Sequence, residues 1–324
     1  MVIMKVLIAQ PIPTAGIDLL KRHYDVLESD HVLGREELIT AIGDKDALVC
    51  AMHKIDAEVI NAGKNLKIIS KLAVGYDDID IKFAGERGIM VTNAPGVLTQ
   101  TVSELVFAHI LALARRLPEA DHYVRAGNFK QWSFDLMVGG EIKGKTLGII
   151  GFGAIGQRLV PMAKGFGLKV VYSNQQGEIP EFENDADVKY ATKDELLKVA
   201  DFVVLLVSLT VETKHLITAR ELALMKTTAF LINLARGPVV NEADLVRALQ
   251  DKTIAGAGLD VFEFEPNVSA ELLAMPNTIL TPHIGSATVE ARAELSLKAA
   301  RNVVDTLEGR GCENIVNREY LRTE

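Results

Sequence analysis

The feature that most constrains the fold is a glycine-rich segment in the middle of the chain, Gly151-Phe-Gly153-Ala-Ile-Gly156. It directly follows an apolar run, Thr146–Ile150, and precedes a helical pattern over residues 158–164. A strand, a glycine turn and a helix in this order form the dinucleotide-binding unit of doubly wound α/β domains. Gly151 permits the tight turn, Gly153 lets the backbone approach a pyrophosphate at the helix N-terminus, and Gly156 lets helix and strand pack closely. The segment therefore predicts a dinucleotide site, the alternative being a glycine-rich turn without a ligand.

Short apolar runs alternate with amphipathic stretches along the chain, which is typical of βαβ units around a parallel sheet. Before the glycine segment we predict strands at Lys5–Ala9, Ala47–Cys50 and Leu66–Leu72, and helices at Gly16–Arg22, Ala57–Ala62 and Ile79–Arg87. After it we predict strands at Lys169–Ser173, Phe202–Val207, Ala229–Asn233, Ala255–Val261 and Thr278–Thr281, and helices at Lys193–Ala200 and Glu242–Gln250. The later strands are almost continuously apolar, as strands covered on both faces are. A length of 324 residues is sufficient for two such domains.

Two long helical patterns and one irregular stretch complete the chain. A helix is predicted over Gln100–Arg116, with Pro118 closing that segment, and the last helix is predicted over Ser286–Glu308, ending at Gly309. Between the first helix and the glycine segment lies a polar stretch with little periodicity, Glu119–Gly144, which we call the arm. Its aromatic residues are Tyr123, Phe129, Trp132 and Phe134. We interpret the arm as a surface that binds a second copy of the chain, the alternative being a surface loop.

Charge and cysteine content exclude several classes of partner. The net charge is −8 and no run of Lys and Arg stands out, so nucleic acid and anionic lipid are not expected partners. Cys50 and Cys312 form no C-x-x-C pair, which fits a reducing compartment and predicts no metal. The longest apolar stretches, Leu105–Ala114 and Phe202–Val207, are far shorter than the roughly 20 residues that a membrane span needs. We expect a soluble, cytoplasmic protein that acts on a small molecule.

Titratable side chains follow three of the predicted strands, at the end where open α/β sheets bind ligands. Arg236 follows Ala229–Asn233, Glu263 and Glu265 follow the next strand, and His283 follows the last one. Each residue alone is often structural, so the signal is their joint occurrence after a dinucleotide motif. The remaining histidines lack such a setting and are interpreted as surface or packing residues: His23, His31, His53, His109, His122 and His215.

Together these motifs resemble those of the D-isomer-specific 2-hydroxyacid dehydrogenases, over essentially the whole chain. Besides the glycine segment, the matching motifs are Val74-Gly75-Tyr76-Asp77, the helix with Ser103-Glu104, Asn233-Leu-Ala-Arg236-Gly, Asp260-Val-Phe-Glu-Phe-Glu265-Pro and Thr-Pro-His283-Ile-Gly-Ser. The resemblance implies that Arg236, Glu265 and His283 are catalytic. It also implies that backbone amides around Val74 and Gly75 hold the substrate carboxylate, and Met52 is assigned to the same substrate site.

The resemblance further implies two doubly wound parallel-sheet domains and a two-fold dimer. A discontinuous, flavodoxin-like substrate domain comprises residues 1–99 plus 287–324, and a Rossmann cofactor domain comprises residues 100–286, including the arm. The predicted cofactor-binding residues are Thr101, Gly151, Phe152, Gly153, Ala154, Ile155, Gly156, Ser173, Asn174, Val207, Ser208, Thr213, Leu234, Ala235, Asp260 and Gly285.

The second strand of the cofactor domain lacks the acidic residue with which NAD-dependent enzymes hold the ribose. It is followed instead by Asn174-Gln175-Gln176, after Ser173. Loss of the carboxylate removes a repulsion against the 2′-phosphate of NADP, and Ser173 and Asn174 can donate hydrogen bonds to it, although no arginine follows. NADP is therefore favoured over NAD, with tolerance of both as the alternative.

The catalytic residues fit the reduction of a 2-oxo acid by hydride transfer. His283 is the natural proton donor because imidazole titrates near neutral pH, and Glu265 would orient the ring and stabilise its charged form. Arg236 carries a planar fork for the substrate carboxylate and carbonyl. Glu263 would share the face of Glu265 in an extended segment, so spacing does not choose between them; the resemblance favours Glu265.

The length and the loop at Val74–Asp77 resemble the glyoxylate and hydroxypyruvate reductase branch. A regulated phosphoglycerate dehydrogenase usually carries a further C-terminal domain, whereas this chain stops soon after its closing helix. Two alternatives remain open: a reductase of a larger 2-keto sugar acid, and a non-enzymatic NAD(H)-sensing scaffold like the related corepressors. Similarity to phosphite dehydrogenase, suggested by Met52, is disfavoured because Val74 stands where those enzymes carry a lysine.

Overall fold

The computed structural model describes residues 3–321 and divides the chain into two compact units. The first unit is discontinuous and includes Met1–Leu98 and Ala287–Glu324, whereas the second unit is the continuous segment Thr99–Ser286. Residues 1–2 and 322–324, which belong to the predicted substrate domain, lie outside the described residues.

Parallel strands and helices alternate in both units. The first unit begins with β1 (Lys5–Ile8), α1 (Thr14–Lys21), β2 (Asp25–Glu28), α2 (Arg35–Ala41), β3 (Ala47–Cys50), α3 (Ala57–Ala62), β4 (Ile68–Lys71), α4 (Ile81–Glu86) and β5 (Met90–Thr92). The second unit contains α5 (Thr99–Ala114), α6 (Leu117–Arg125), β6 (Thr146–Ile150), α7 (Ala154–Gly165), β7 (Lys169–Ser173), β8 (Val188–Tyr190), α8 (Lys193–Val199), β9 (Phe202–Leu205), α9 (Ala219–Leu224), β10 (Phe230–Asn233), α10 (Glu242–Gln250), β11 (Gly256–Leu259), α11 (Ala270–Leu273) and β12 (Thr278–Leu280). The chain then returns to the first unit with α12 (Val289–Leu307).

The first unit is a five-stranded parallel sheet in the order β2-β1-β3-β4-β5, which is the flavodoxin-like order. Successive side chains of β1 point to opposite faces of the sheet and therefore pack into two different apolar clusters. Leu7 packs with residues of α2 and α3, whereas Ile8 packs with residues of α1 and α12. The helices α1 and α12 approach closely at Gly16, where an added Cβ would lie 2.3 Å from the Ser296 carbonyl oxygen.

The second unit is a seven-stranded parallel sheet in the order β12-β11-β10-β9-β6-β7-β8. The chain direction across the sheet reverses between β6 and β9, and this switch point is where open α/β sheets bind their ligands. Buried residues from both faces of these strands form two apolar clusters. The prediction of two doubly wound parallel sheets is confirmed.

Some short or exposed elements were not predicted. The edge strand β2 is mostly exposed and therefore lacks an apolar run. Residues 119–125 of the arm, for which no helix was predicted, form part of α6; none of that helix's side chains is buried, so no apolar run marks it in the sequence. Pro118 starts α6 rather than closing the preceding helix, because the first turn of a helix does not need the missing N–H. Among the described residues, no helix is long and apolar enough to span a membrane.

Candidate active site

Glu265 and His283 form a carboxylate–imidazole pair at the carboxyl edge of the second sheet. They follow β11 and β12, which are neighbours in that sheet. Glu265 Oε2 lies 3.1 Å from His283 Nδ1, and Glu265 Oε1 accepts a hydrogen bond of 2.9 Å from the Phe262 amide. Burial acts to raise the pKa of Glu265, but the hydrogen bonds from His283 and Phe262 and the charges of His283 and Arg236 outweigh it, so the pKa is lowered. The ionised Glu265 carboxylate orients the His283 ring through Nδ1. Nε2 is then the ring nitrogen that does not contact Glu265.

The loop that carries Arg236 is held by the last residue of β10. Asn233 Oδ1 accepts a hydrogen bond of 3.0 Å from the Ala235 amide, and Asn233 Nδ2 donates one of 3.0 Å to the Arg236 carbonyl oxygen. A Cβ added at Gly237 would lie 1.8 Å from the Phe262 carbonyl oxygen, so this loop packs directly against the loop that carries Glu265. Asn233 was quoted in the sequence motif, but its clamping role follows only from these contacts.

Glu263 makes different contacts from those of Glu265. Its Oε1 lies 2.5 Å from His215 Nε2, and its Oε2 accepts a hydrogen bond of 2.9 Å from the Glu242 amide. Glu265 is thus the carboxylate that contacts His283, a choice that spacing in the sequence left open. His215, interpreted from the sequence as a surface or packing residue, is part of an ion pair beside the site.

The loop after β12 is held by Asp260, a residue predicted from the sequence to bind the cofactor. Asp260 is 2% exposed, and its carboxylate accepts hydrogen bonds of 2.8 Å from the amides of both Ile284 and Gly285. These contacts fix the residues that directly follow His283. Gly285, also assigned to the cofactor, is buried in this turn.

The three glycines of the central motif occupy three different environments. Gly151 has a φ of 97°, and an added Cβ would lie 2.7 Å from the Val207 backbone nitrogen. At Gly156 it would lie 2.7 Å from the Gly151 carbonyl oxygen and 3.2 Å from Ile149. At Gly153, directly before α7, it would meet nothing within 4 Å. This open backbone at a helix N-terminus fits the pyrophosphate of a dinucleotide.

Other predicted cofactor residues lie at the same edge, with differing exposure. Phe152 is 2% exposed and stacks on Tyr172 at a centroid distance of 3.9 Å, so only its backbone can contact a cofactor. The Asn174 side chain accepts a hydrogen bond of 3.2 Å from the Gln176 amide in the turn after β7. Ala154 is exposed and Ile155 half-buried in the first turn of α7, and Ser173 ends β7.

The remaining predicted cofactor residues belong to loops around the switch point. Val207 and Ser208 follow β9, and Thr213 Oγ1 closes that loop by donating a hydrogen bond of 2.6 Å to the Ser208 carbonyl oxygen. Leu234 and Ala235 follow β10, and Thr101 lies in the first turn of α5. No group of three or more potential metal ligands occurs within residues 3–321.

The predicted substrate residues of the first unit follow two neighbouring strands, β3 and β4. Met52 is 61% exposed, and the Val74 carbonyl oxygen accepts a hydrogen bond of 2.8 Å from Asn93 Nδ2, beside Gly75. The buried ammonium of Lys71 bonds to the Ala51 carbonyl oxygen and to the Asp78 carboxylate, so it links the loops on which Met52 and Val74 lie.

Comparisons with known proteins identify relatives over nearly the full chain. A family model described as "D-isomer specific 2-hydroxyacid dehydrogenase, NAD binding domain" matches residues 107–285. A glyoxylate reductase from Thermococcus onnurineus is 46% identical over 98% of this chain and 97% of its own length. A solved structure from Thermus thermophilus has a TM-score of 0.90 and 38% identity, covering 97% of this chain and 100% of that one. An NADPH-dependent glyoxylate/hydroxypyruvate reductase from Sinorhizobium meliloti, solved with NADP and malonate, has a TM-score of 0.86 and 29% identity, with 99% of each chain covered.

Proposed function

Because the chain belongs to the D-isomer specific 2-hydroxyacid dehydrogenases, we propose that the 2-oxo acid it reduces is glyoxylate or hydroxypyruvate. It is an NAD(P)-dependent oxidoreductase of small 2-oxo acids. The observation that carries the proposal is the His283–Glu265 pair, which lies on the sheet edge that also carries Arg236 and the open glycine turn. The names of the relatives supply the choice of substrate.

In this proposal the bound nicotinamide supplies the hydride, and residues of the chain bind the acid and supply the proton. Arg236 binds the substrate carboxylate with its planar fork and polarises the carbonyl oxygen. His283 donates a proton from Nε2 to that oxygen, because its Nδ1 faces Glu265. Glu265 holds the ring and stabilises its charged form. In the first unit, the amides around Val74 and Gly75, together with Met52, are the groups that we propose for substrate binding.

We further propose that the enzyme prefers NADPH to NADH. Support comes from the turn after β7, which offers Asn174 and Gln175 in place of a carboxylate. Asn174 Oδ1 is bonded to the Gln176 amide, so the group that this side chain can direct at a phosphate is its Nδ2 donor. Asn174→Asp should lower the ratio of kcat/KM for NADPH to that for NADH by at least about tenfold, roughly 1.4 kcal/mol, and Gln175→Arg should raise it. A strong wild-type preference for NADH would contradict the proposal.

A cytoplasmic homodimer is also proposed. The arm exposes Phe129, Trp132 and Phe134, with 53%, 68% and 91% of their surface accessible, which favours burial against a second copy. Burial raises the pKa of both free thiols, that of Cys50 to about 12, and such inert thiols are compatible with a reducing compartment.

The decisive experiment is steady-state turnover of a panel of 2-oxo acids with NADPH and NADH in parallel. Glyoxylate and hydroxypyruvate should give the highest kcat/KM. His283→Ala should lower kcat by roughly 10²–10⁴-fold while the Kd for NADPH stays near the wild-type value. A higher kcat/KM for a 2-keto sugar acid would show that this larger acid, and not glyoxylate or hydroxypyruvate, is the substrate. An absence of turnover with every acid of the panel would favour the NAD(H)-sensing scaffold.

A further inference from the structure

The proposed acid, His283, lies on a backbone that its surroundings must hold in place. Its φ is 54°, in the left-handed region that residues with a side chain rarely adopt. The His283 amide donates a hydrogen bond of 2.9 Å to the Asp260 carbonyl oxygen, and the next two amides bond to the Asp260 carboxylate. One buried residue therefore receives three consecutive backbone donors of the turn. The position of the imidazole depends on the orientation of Asp260.

The direction of the next hydrogen bonds follows from the chemistry of the groups. Each oxygen of the Asp260 carboxylate already accepts a hydrogen bond from a backbone amide, so the Thr281 hydroxyl, 2.6 Å from Asp260 Oδ1, is the donor. The oxygen of that hydroxyl must then accept from its other neighbour, His109 Nε2, at 3.2 Å. His109 is 2% exposed, and burial lowers its pKa, although the Asp260 charge and the Gly258 backbone act in the opposite direction. His109 is therefore a neutral imidazole with its proton on Nε2.

Keeping a histidine at this position has a cost. His109 lies on the buried face of α5 with Val106, Ile110 and Leu113, where an apolar side chain would leave no polar atom unpaired. Its Nδ1, unprotonated when the proton is on Nε2, is buried and accepts no hydrogen bond from the residues that the structure describes. An unpaired buried acceptor is unfavourable, so packing alone does not account for this residue. Unlike a leucine, a histidine at this position can donate a hydrogen bond to the Thr281 hydroxyl.

We infer that His109 is a positioning residue of the reaction: through Thr281 and Asp260 it holds the strained turn that carries His283. A hydroxyl that accepts one hydrogen bond donates a stronger one, so the His109 donor strengthens the bond from Thr281 to Asp260. Loss of that donor loosens the turn without changing any group that contacts substrate. The inference rests on the proposed role of His283 as the proton donor.

The test compares His109→Leu with His109→Gln. The leucine variant loses the donor and should lower kcat by about fivefold, equivalent to ~1 kcal/mol, with the KM for NADPH within about twofold of wild type. Glutamine can donate from its Nε2 at a similar reach, so His109→Gln should restore kcat to within about twofold of wild type. In a Thr281→Val background, His109→Leu should have no further effect on kcat, because the acceptor is gone.

Leu113→Ala is the matched packing control, since it removes buried apolar volume from the same helix and a leucine side chain forms none of these hydrogen bonds. It should lower Tm while leaving kcat, measured well below Tm, unchanged. The inference is overturned if His109→Leu behaves like Leu113→Ala, or if His109→Gln is no better than His109→Leu. Retained turnover in His283→Ala would overturn the proposed acid and this inference with it, whereas an inactive His283→Ala beside a fully active His109→Leu would overturn the positioning role alone.

Discussion

At the scale of single residues, Glu265 and Glu263 have different hydrogen-bond partners although only one residue separates them in the sequence. Glu265 contacts His283, and Glu263 contacts His215 and the Glu242 amide. Both carboxylates are held by backbone amides as well, so neither is free to exchange roles. Substitutions at the two positions should therefore affect catalysis in different ways.

Glu265→Gln should lower kcat for reduction by roughly tenfold or more. Glutamine keeps a hydrogen bond to the His283 ring but removes the negative charge opposite Nδ1. The measurement is kcat with saturating substrate and NADPH at neutral pH. Glu263→Gln is the control and should leave kcat within about twofold of the wild-type value. A loss of kcat in the control but not in Glu265→Gln would exchange the two roles.

Arg236→Lys should lower kcat/KM for the 2-oxo acid by at least about tenfold, ~1.4 kcal/mol, through a higher KM and a lower kcat together. Lysine keeps the positive charge but cannot contact the carboxylate and the carbonyl oxygen with one planar group. Steady-state kinetics at saturating NADPH measure both parameters. Arg310→Lys, on an exposed arginine of the first unit, is the control. Equal effects of the two substitutions on kcat/KM would contradict the proposal that Arg236 binds the substrate.

The place of a candidate residue in the fold was predictable where it belongs to a motif, but its partner was not predictable where that partner is distant in the sequence. Arg236 and His283 were proposed as site residues from their positions after apolar strands, and the structure places both in loops at that sheet edge. His109 and His215 could not be assigned, because their partners Thr281 and Glu263 are far away in the sequence. The signal for His109 was present as a polar residue on an otherwise apolar helix face, but a satisfied core histidine gives the same pattern.

At the scale of elements, two glycines of the turn between β6 and α7 meet different requirements. Gly151 satisfies the backbone geometry of the turn, and Gly153 leaves space for a ligand. Gly151 needs its positive φ and has no room for a side chain, whereas Gly153 has an ordinary φ and open space. An alanine at each position therefore tests a different property of the same turn.

Gly153→Ala should raise the Kd for NADPH by about tenfold or more, ~1.4 kcal/mol, while Tm changes by no more than about 2 °C. The added methyl group would occupy the space through which the pyrophosphate approaches the backbone. Gly151→Ala should instead destabilise the protein by roughly 1–3 kcal/mol, because of both backbone strain and contact with Val207. Fluorescence titration and thermal denaturation measure the two effects. Gly165→Ala, at the open far end of α7, is the control and should change neither. Unchanged affinity in Gly153→Ala would place the pyrophosphate elsewhere.

The arm should hold two copies of the chain together. Trp132→Ser combined with Phe134→Ser should convert a dimer at micromolar concentration into a monomer, because these rings are the most exposed aromatic side chains of the arm. Light scattering coupled to size-exclusion chromatography gives the mass. Val289→Ser, on a residue that is 84% exposed outside the arm, should leave the dimer intact. A monomeric wild-type protein would dispose of the proposal.

Elements were predictable in proportion to their burial. Strands such as β6 and β10 are covered on both faces and gave continuous apolar runs. The exposed strand β2 and the helix α6 gave no comparable signal, because their side chains contact mainly water.

At the scale of the whole molecule, two histidines among residues 3–321 are buried and have a pKa lowered by burial: His53 in the first unit and His109 in the second. In the unfolded chain both titrate near their ordinary pKa of about 6.5. Below that pH the unfolded state binds protons that the folded state does not, so stability falls as the pH falls toward the folded pKa values, by at most about 1.4 kcal/mol per unit for each histidine. Thermal denaturation from pH 8 to pH 5.5 should show this decline, and it should be shallower in the variant His53→Leu with His109→Leu. An equal decline of stability in the wild-type protein and the double variant would contradict the role of these two histidines in the pH dependence.

The discontinuous first unit has a consequence for the order in which the protein is made. The sheet face beneath α1 and α12 is formed early, with Val6, Ile8 and Val49 among its apolar residues. The helix that covers this face, α12, is translated only after the whole second unit. Translation of the second unit takes roughly 10–40 s at ordinary rates of synthesis. During that interval the nascent first unit exposes an apolar sheet face, a surface that chaperones bind and that aggregates when crowded. Emergence of α12 from the ribosome, rather than completion of either sheet, ends the exposure.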